Sequence, residues 1–176
     1  MLHSSCCPAT LTDRRRFLTL AGAGAGAMLL GFAPRLATAA GAADALLLNC
    51  IDYRLTDKVT DYMAGRGLKE KYDQVILAGA SLGAVTSRYP DWGKTFREHL
   101  DIAIQLHGIG RVIVIDHRDC GAYREFLGKD LTGDAEKALH AAELRRLARQ
   151  IHTTHPKLAV ETLLMSLDGS VETIQV

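Results

Sequence analysis

The chain has 176 residues, the length of one ordinary domain. Hydrophobic residues make up 48% of it and charged residues 23%, a balance typical of a globular protein and not of a disordered or fibrous one. The 21 Lys and Arg residues nearly equal the 20 Asp and Glu residues, which argues against a general nucleic-acid binder. The 4 cysteines are too few for a disulfide-built scaffold.

The N-terminal segment has the pattern of an export signal. Residues 14–18 read Arg-Arg-Arg-Phe-Leu and precede an uncharged apolar run over residues 20–33, rich in Gly and Ala. The Ala-Thr-Ala sequence at residues 37–39 fits the small residues that a signal peptidase reads. The whole pattern resembles a twin-arginine signal peptide over residues 1–39. We therefore expect a periplasmic or secreted protein that meets the membrane only transiently, during export.

The rest of the chain alternates between strand and helix patterns. Short apolar runs indicate strands buried on both faces, and apolar residues at three- and four-residue steps indicate helices. In chain order the predicted elements are strand 45–49, helix 56–64, strand 74–78, helix 95–107, strand 111–116, helix 134–152 with Asp134 as its N-cap, and strands 160–167 and 171–174, joined by a turn at Asp168-Gly169. This order predicts an α/β fold with a doubly wound, mainly parallel sheet, a C-terminal hairpin and helices on both faces.

Two cysteines remain beyond residue 39, and each follows a predicted strand. Cys50 comes directly after the first strand, whereas His117 and Cys120 come after the third. Doubly wound proteins bind their ligands beyond the carboxyl ends of the strands, where the loops after neighbouring strands converge. We therefore expect the side chains of Cys50, His117 and Cys120 to meet there. Two thiolates and one imidazole match an open, catalytic zinc site. A disulfide between Cys50 and Cys120 is the alternative in an exported protein, although it gives His117 no role.

Two motifs together carry a resemblance to a known family. Residues 50–54 read Cys-x-Asp-x-Arg, and residues 117–121 read His-x-x-Cys-Gly. In this order, each after a strand, they resemble the motifs of the β-class carbonic anhydrases, and the resemblance covers roughly residues 45–176. It implies a β-carbonic-anhydrase-like zinc domain over residues 40–176, acting as a homodimer or a higher oligomer. The implied enzyme is a lyase that reversibly hydrates carbon dioxide to bicarbonate, with no nucleic-acid partner.

The resemblance also implies a role for each residue of the two motifs. Cys50, His117 and Cys120 would bind Zn²⁺, which lowers the pKa of its bound water to about 7. Asp52 would accept a hydrogen bond from the resulting hydroxide and orient it. Arg54 would pair with Asp52 and keep its carboxylate ionised.

The segment after the second predicted strand departs from the family. It usually reads Arg-Asn-Ala-Gly-Asn, but residues 76–80 here read Ile-Leu-Ala-Gly-Ala, so its polar side chains are missing.

Two functions other than carbon dioxide hydration stay open. One is a related zinc hydrolase of another small linear molecule, such as carbonyl sulfide or carbon disulfide. The other is a non-catalytic α/β module that keeps zinc or a disulfide for structure.

Two further expectations concern side chains near the second motif. Asp116 and Asp119 flank His117 and are candidate hydrogen-bond partners of its ring. His140 lies on the predicted helix 134–152, where we expect it to face solvent.

Overall fold

The computed structural model describes residues 41–130 and 132–175. The predicted signal peptide, residues 1–39, lies outside these described residues, as does Ala40 at the predicted start of the zinc domain. Among the helices of the described ranges, none is long and apolar enough to cross a membrane.

The described residues form one α/β unit in which strands and helices alternate. Its strands are β1 (Ala45–Asn49), β2 (Tyr72–Ile76), β3 (Arg111–His117), β4 (Ala159–Met165) and β5 (Val171–Thr173). Its α-helices are α1 (Thr56–Gly65), α2 (Ser81–Val85), α3 (Pro90–His107), α4 (Gly121–Leu127) and α5 (Gly133–Thr154). A 3₁₀ turn, Tyr53–Leu55, lies between β1 and α1.

The strands form a sheet in the order β2-β1-β3-β4-β5. β1 pairs in parallel with β2 and β3, β3 pairs in parallel with β4, and β5 returns antiparallel to β4. The predicted mainly parallel sheet with a C-terminal hairpin is therefore confirmed. The register sets Asn49, the last residue of β1, beside Ile115 of β3. As a result, Cys50 leaves the sheet next to the point where β3 ends at His117.

Apolar side chains cover both faces of the sheet. Leu46 and Leu48 of β1 pack with residues of α3 and α5, among them Phe96, Leu100, Leu144 and Leu147. Leu47, on the opposite face of the same strand, packs with Val59 and Met63 of α1. Each such side chain contributes about 1.5–3 kcal/mol when it is fully buried instead of exposed. The predicted placement of helices on both faces is confirmed.

Two helices begin at residues other than the predicted ones. α3 begins at Pro90 and not at residue 95, because proline is accommodated in the first turn of a helix, where its missing N–H has no intrahelical partner. α5 begins at Gly133, with Thr132 at the N-cap position, so the prediction of Asp134 as N-cap is wrong. Asp134 lies instead in the first turn, where a carboxylate interacts favourably with the helix dipole.

The chain turns sharply after β2, which ends at Ile76 and not at residue 78. The N–H of Leu77 still donates to the Asn49 carbonyl at 3.0 Å, but the N–H of Ala80 then donates back to the Leu77 carbonyl, also at 3.0 Å. Gly79 has a φ of +77° and Ala80 a φ of +41°. Residues 77 and 78 therefore belong to a turn that leads into α2, and not to the strand that their apolar side chains predict.

Candidate metal centre

Three metal-ligating side chains meet at the carboxyl ends of β1 and β3. The ligand atoms of Cys50, His117 and Cys120 all lie within 4.8 Å of one another. The two sulfur atoms are 3.9 Å apart, and both cysteines are free. Two sulfurs held tetrahedrally by one zinc, at about 2.3 Å each, lie about 3.8 Å apart. The sulfur spacing therefore fits a shared zinc ion and is far longer than the roughly 2.05 Å of a disulfide.

The local backbone explains why Cys120 lies beside His117. Asp119, between them, has a φ of +56°, in the left-handed region that L-residues rarely adopt. This residue reverses the chain after β3. Cys120 then takes the extended N-cap position of α4, with a φ of −80° and a ψ of 116°. The second motif is thus a tight turn that joins a strand end to a helix start.

His117 is buried and presents one ring nitrogen to the centre. Its Nδ1–H donates to the Arg118 carbonyl at 2.8 Å, which is the tautomer that leaves Nε2 with a free lone pair. Nε2 is buried and has no hydrogen-bond partner among the described residues. A buried, unpartnered imidazole nitrogen beside two sulfurs fits a metal ligand. The expectation that Asp116 or Asp119 orients this ring is wrong, because the backbone carbonyl does so.

The two sulfurs share their protons unequally. A hydrogen bond from the Cys120 thiol, helped by His117 and by the N–H of Gly79, lowers the pKa of Cys50 to about 4 although burial opposes the shift. The hydrogen bond to the Cys50 sulfur and burial raise the pKa of Cys120. Burial would lower the pKa of His117, but its contact with Cys50 outweighs burial and raises it. A metal ion that binds both sulfurs must therefore displace the proton that they share.

Asp52 lies beside the centre and is held by Arg54. Its Oδ1 accepts hydrogen bonds from the Arg54 backbone N–H at 3.0 Å and from Nε at 2.9 Å, while its Oδ2 accepts from Nη2 at 2.7 Å. These hydrogen bonds lower the pKa of Asp52 to about 2, so its carboxylate is ionised at neutral pH. Oδ2 is also 3.8 Å from Nε2 of His117, which puts the carboxylate next to the ligand atoms.

Arg54 also contacts a second carboxylate, that of Asp119, and the sequence did not predict this contact. Its Nη1 donates to Asp119 Oδ2 at 2.8 Å, and its Nη2 donates to the Asp119 carbonyl at 3.0 Å. These hydrogen bonds lower the pKa of Asp119. One guanidinium therefore ties the loop that carries Cys50 to the loop that carries Cys120. Their separation in sequence, 65 positions between Arg54 and Asp119, offers no local signal of the contact.

Glu136 of α5 supports the left-handed residue of the second motif. Its Oε1 accepts from the Asp119 backbone N–H at 2.5 Å, and its Oε2 accepts from Arg118 Nη1 at 3.3 Å. Arg118 also donates to Glu172 of β5 at 2.6 Å. The loop after β3 is therefore anchored to the helix and to the hairpin that close the fold.

Asp116 and His140 belong to a buried polar cluster and not to the solvent-exposed surface. The Nδ1 of His140 donates to Asp116 Oδ2 at 3.0 Å, and the two side chains are 1% and 0% exposed. Tyr123 donates to the same oxygen at 2.6 Å, and burial raises its pKa well above the usual value, so its hydroxyl stays a donor. The prediction that His140 faces solvent is wrong, because its position on α5 faces the end of β3.

An open groove of about 400 Å³ runs along the Asp52 side of the centre, with Arg54 and Gly121 also in its wall. Ile51 is 63% exposed and Tyr53 is 86% exposed beside it. Small molecules can therefore reach Asp52 from solvent, past one aliphatic and one aromatic side chain.

Two curated proteins are similar to this chain over 134 residues each. An uncharacterized protein of Rickettsia conorii (strain ATCC VR-613 / Malish 7) is 41% identical, over 75% of this chain and 72% of that protein. An uncharacterized protein of Rickettsia bellii (strain RML369-C) is 39% identical, over 75% of this chain and 82% of that protein. Neither name assigns an activity.

The fold is similar to that of solved β-carbonic anhydrases. Isoform I from Trichomonas vaginalis matches with a TM-score of 0.51 at 14% identity, over 93% of this chain and 98% of that chain. The Coccomyxa β-carbonic anhydrase in complex with acetazolamide matches with a TM-score of 0.53 at 13% identity, over 93% and 87% of the two chains. Residues 41–175 match the family described as "Putative carbonic anhydrase". On this match, which covers well over half of its length, the chain belongs to that carbonic anhydrase family.

Proposed function

We propose that the domain binds one Zn²⁺ through Cys50, His117 and Cys120 and catalyses the reversible hydration of carbon dioxide to bicarbonate. The observation that supports this most is an ionised, arginine-held carboxylate beside three convergent ligand atoms. Three protein ligands are the number found in catalytic zinc sites, whereas structural sites use four. The sulfur-to-sulfur distance of 3.9 Å favours this proposal over a structural disulfide. The family resemblance supports a homodimer as the working form.

Each residue of the site has a separate role in the proposed reaction. A zinc ion held by the three ligands would lower the pKa of a bound water to about 7 and so supply hydroxide at neutral pH. Asp52 accepts a hydrogen bond from the attacking oxygen and orients its lone pair toward carbon dioxide. Arg54 lowers the pKa of Asp52 and engages both carboxylate oxygens in hydrogen bonds, so that neither oxygen is free to bind the metal. The Arg118 carbonyl holds the His117 ring in the tautomer that can bind metal.

We expect the zinc-loaded protein to hydrate carbon dioxide with a kcat/KM between about 10⁴ and 10⁸ M⁻¹s⁻¹. A stopped-flow assay with a pH indicator measures this rate, on protein whose zinc content has been determined. The Cys120→Ser variant serves as the matched control for uncatalysed hydration. Fully zinc-loaded protein without hydration activity would contradict the proposal. Carbonyl sulfide and carbon disulfide are then the substrates to assay, since they have the same linear shape.

We also propose export by the twin-arginine route, on the pattern at residues 14–18. The receptor reads a pair of guanidinium groups, which an ammonium group does not reproduce. Replacing both Arg14 and Arg15 with Lys is therefore expected to leave the precursor in the cytoplasm. Arg16→Lys is the control, because Arg16 occupies the variable position. Cell fractionation and immunoblotting measure the outcome, and normal export of the double variant would show that another pathway carries the protein.

A further inference from the structure

The turn between β2 and α2 delivers a backbone donor to the metal centre in a strained conformation. The N–H of Gly79 donates to Cys50 Sγ at 3.3 Å. Gly79 has a φ of +77°, and Ala80, which is not a glycine, has a φ of +41° with a ψ of −100°. Residues with a Cβ rarely adopt such a conformation, and it persists only where the surrounding structure holds it.

Asp116 holds the residue that follows this turn. Its Oδ1 accepts from the Ser81 backbone N–H at 2.9 Å, and its Oδ2 accepts from the Ser81 hydroxyl at 2.6 Å. Ser81 and Asp116 are both buried, so water does not compete for these hydrogen bonds. The carboxylate thus fixes both the backbone and the side chain of the first residue of α2.

The same carboxylate is itself fixed from two other helices. Tyr123 of α4 and His140 of α5 donate to Oδ2 at 2.6 and 3.0 Å. Asp116 also directly precedes His117 in β3, so the strand end that carries one metal ligand carries the group that holds the turn. Helices α2, α4 and α5 therefore meet at one buried carboxylate next to the centre.

We propose that Asp116 is a positioning residue of the metal centre, which holds the Gly79–Ser81 turn so that the Gly79 N–H donates to the Cys50 sulfur. This inference rests on the proposed zinc site. A hydrogen bond to a ligating sulfur stabilises its negative charge and orients its lone pairs, as contacts behind metal ligands generally do. Asp116 acts through Ser81 and Gly79 and does not touch the ligand atom itself.

The test compares Asp116→Asn and Ser81→Ala with the control variant Thr162→Val. An asparagine at position 116 keeps one acceptor oxygen, but its NH₂ group cannot accept from Ser81, Tyr123 or His140. Ser81→Ala removes the hydroxyl with its hydrogen bonds to Asp116 and, at 3.0 Å, to Tyr123, but it keeps the backbone N–H contact and is the milder variant. Thr162→Val deletes another buried hydrogen bond, from the Thr162 hydroxyl to the Ile174 carbonyl at 2.6 Å, between β4 and the C-terminal segment after β5.

The readouts are the amide proton shift and exchange rate of Gly79 in ¹⁵N-labelled, metal-free protein, and the sulfur-to-cobalt absorption band after loading with Co²⁺. In Asp116→Asn we expect about tenfold faster exchange at Gly79, an upfield amide shift and a displaced absorption band. Ser81→Ala should move all three in the same direction by less. Thr162→Val should lower the unfolding midpoint and leave all three at their wild-type values.

Unchanged Gly79 signals in both Asp116→Asn and Ser81→Ala would overturn the proposal, as would an equal change in Thr162→Val. If Asp116→Asn does not fold, Ser81→Ala decides alone. Wild-type protein that takes up neither Co²⁺ nor Zn²⁺ would refute the proposed function. The Gly79 measurements need no metal and would still show whether Asp116 positions the turn.

Discussion

The Cys120→Ser substitution is expected to reduce bound zinc from close to one ion per chain to nearly none, and Cys50→Ser and His117→Ala should do the same. Each change leaves two protein ligands, and a serine hydroxyl does not ionise to replace a thiolate near neutral pH. Zinc can contribute on the order of 10 kcal/mol to the folding of a small metal-dependent domain, so these variants should also unfold at lower temperature. Elemental analysis and thermal unfolding measure the two effects.

His107→Ala is the matched control for the histidine change. His107 lies at the end of α3 and pairs with Asp73 at 2.6 Å, away from the ligand cluster. Its loss should cost stability at the edge of the sheet and leave the zinc content unchanged. Wild-type protein that carries no zinc and has no titratable thiols would instead establish a disulfide between Cys50 and Cys120.

Zinc retention should also fall as pH falls, because protons compete with zinc for the ligand atoms. The pKa values of Cys120 and His117 are raised, so both compete more strongly for protons than ordinary side chains do. Metal binding must therefore displace the Cys120 proton and, wherever His117 is protonated as well, a second proton. Chelator competition between about pH 8 and pH 5 should show zinc affinity declining as pH falls, with a slope of about one to two protons.

The three candidate ligands could be predicted from the sequence because of how parallel sheets are built. Apolar runs mark β1 and β3, and neighbouring parallel strands end at the same edge of a sheet. Residues placed just after such runs are therefore neighbours in space even when they are far apart in sequence. Cys50 and His117 satisfy this rule, and Cys120 follows after one tight turn.

The supports of the centre could not be predicted in the same way. Arg54 reaches Asp119 across 65 positions because Asp119 takes a left-handed conformation, which neither its residue type nor its neighbours require. His140 lies on α5, whose apolar periodicity predicts its buried face but not a polar residue within that face. Side-chain contacts between distant elements depend on packing that no local pattern encodes.

The turn after β2 is held by a residue outside the segment that departs from the family. Residues 76–80 lack the polar side chains that the family usually has there. In the structure Ser81, the next residue, donates hydrogen bonds to Asp116 of β3 from both its N–H and its hydroxyl. This contact joins two distant elements, and no pattern within residues 76–80 predicts it.

Asp52→Asn is expected to keep zinc and to lose at least about a hundredfold in carbon dioxide hydration. Asp52 is not needed as a ligand, since Cys50, His117 and Cys120 provide three donor atoms. The asparagine oxygen can still accept from Arg54, but its NH₂ group meets the guanidinium as a second donor and cannot accept a hydrogen bond from the attacking oxygen. Stopped-flow assays on variants with measured zinc content give the result. Equally fast hydration by Asp52→Asn and wild type would show that the carboxylate does not act in catalysis.

Arg54→Ala should also lose activity and retain zinc. The reason differs from that for Asp52→Asn, and the pH dependence of activity distinguishes the two variants. Without the guanidinium, Asp52 keeps its charge and loses the hydrogen bonds of 2.7 and 2.9 Å that occupy its two oxygens. The free carboxylate can then compete with water for the open position on the metal. Higher pH favours hydroxide in that competition, so activity should recover partly as pH rises, whereas Asp52→Asn should show no such recovery. Arg124→Ala is the control, because Arg124 pairs with Asp119, at 2.9 Å, and not with Asp52. This substitution should change the rate far less. A pH profile of Arg54→Ala parallel to that of Asp52→Asn would mean that Arg54 does not restrain the carboxylate.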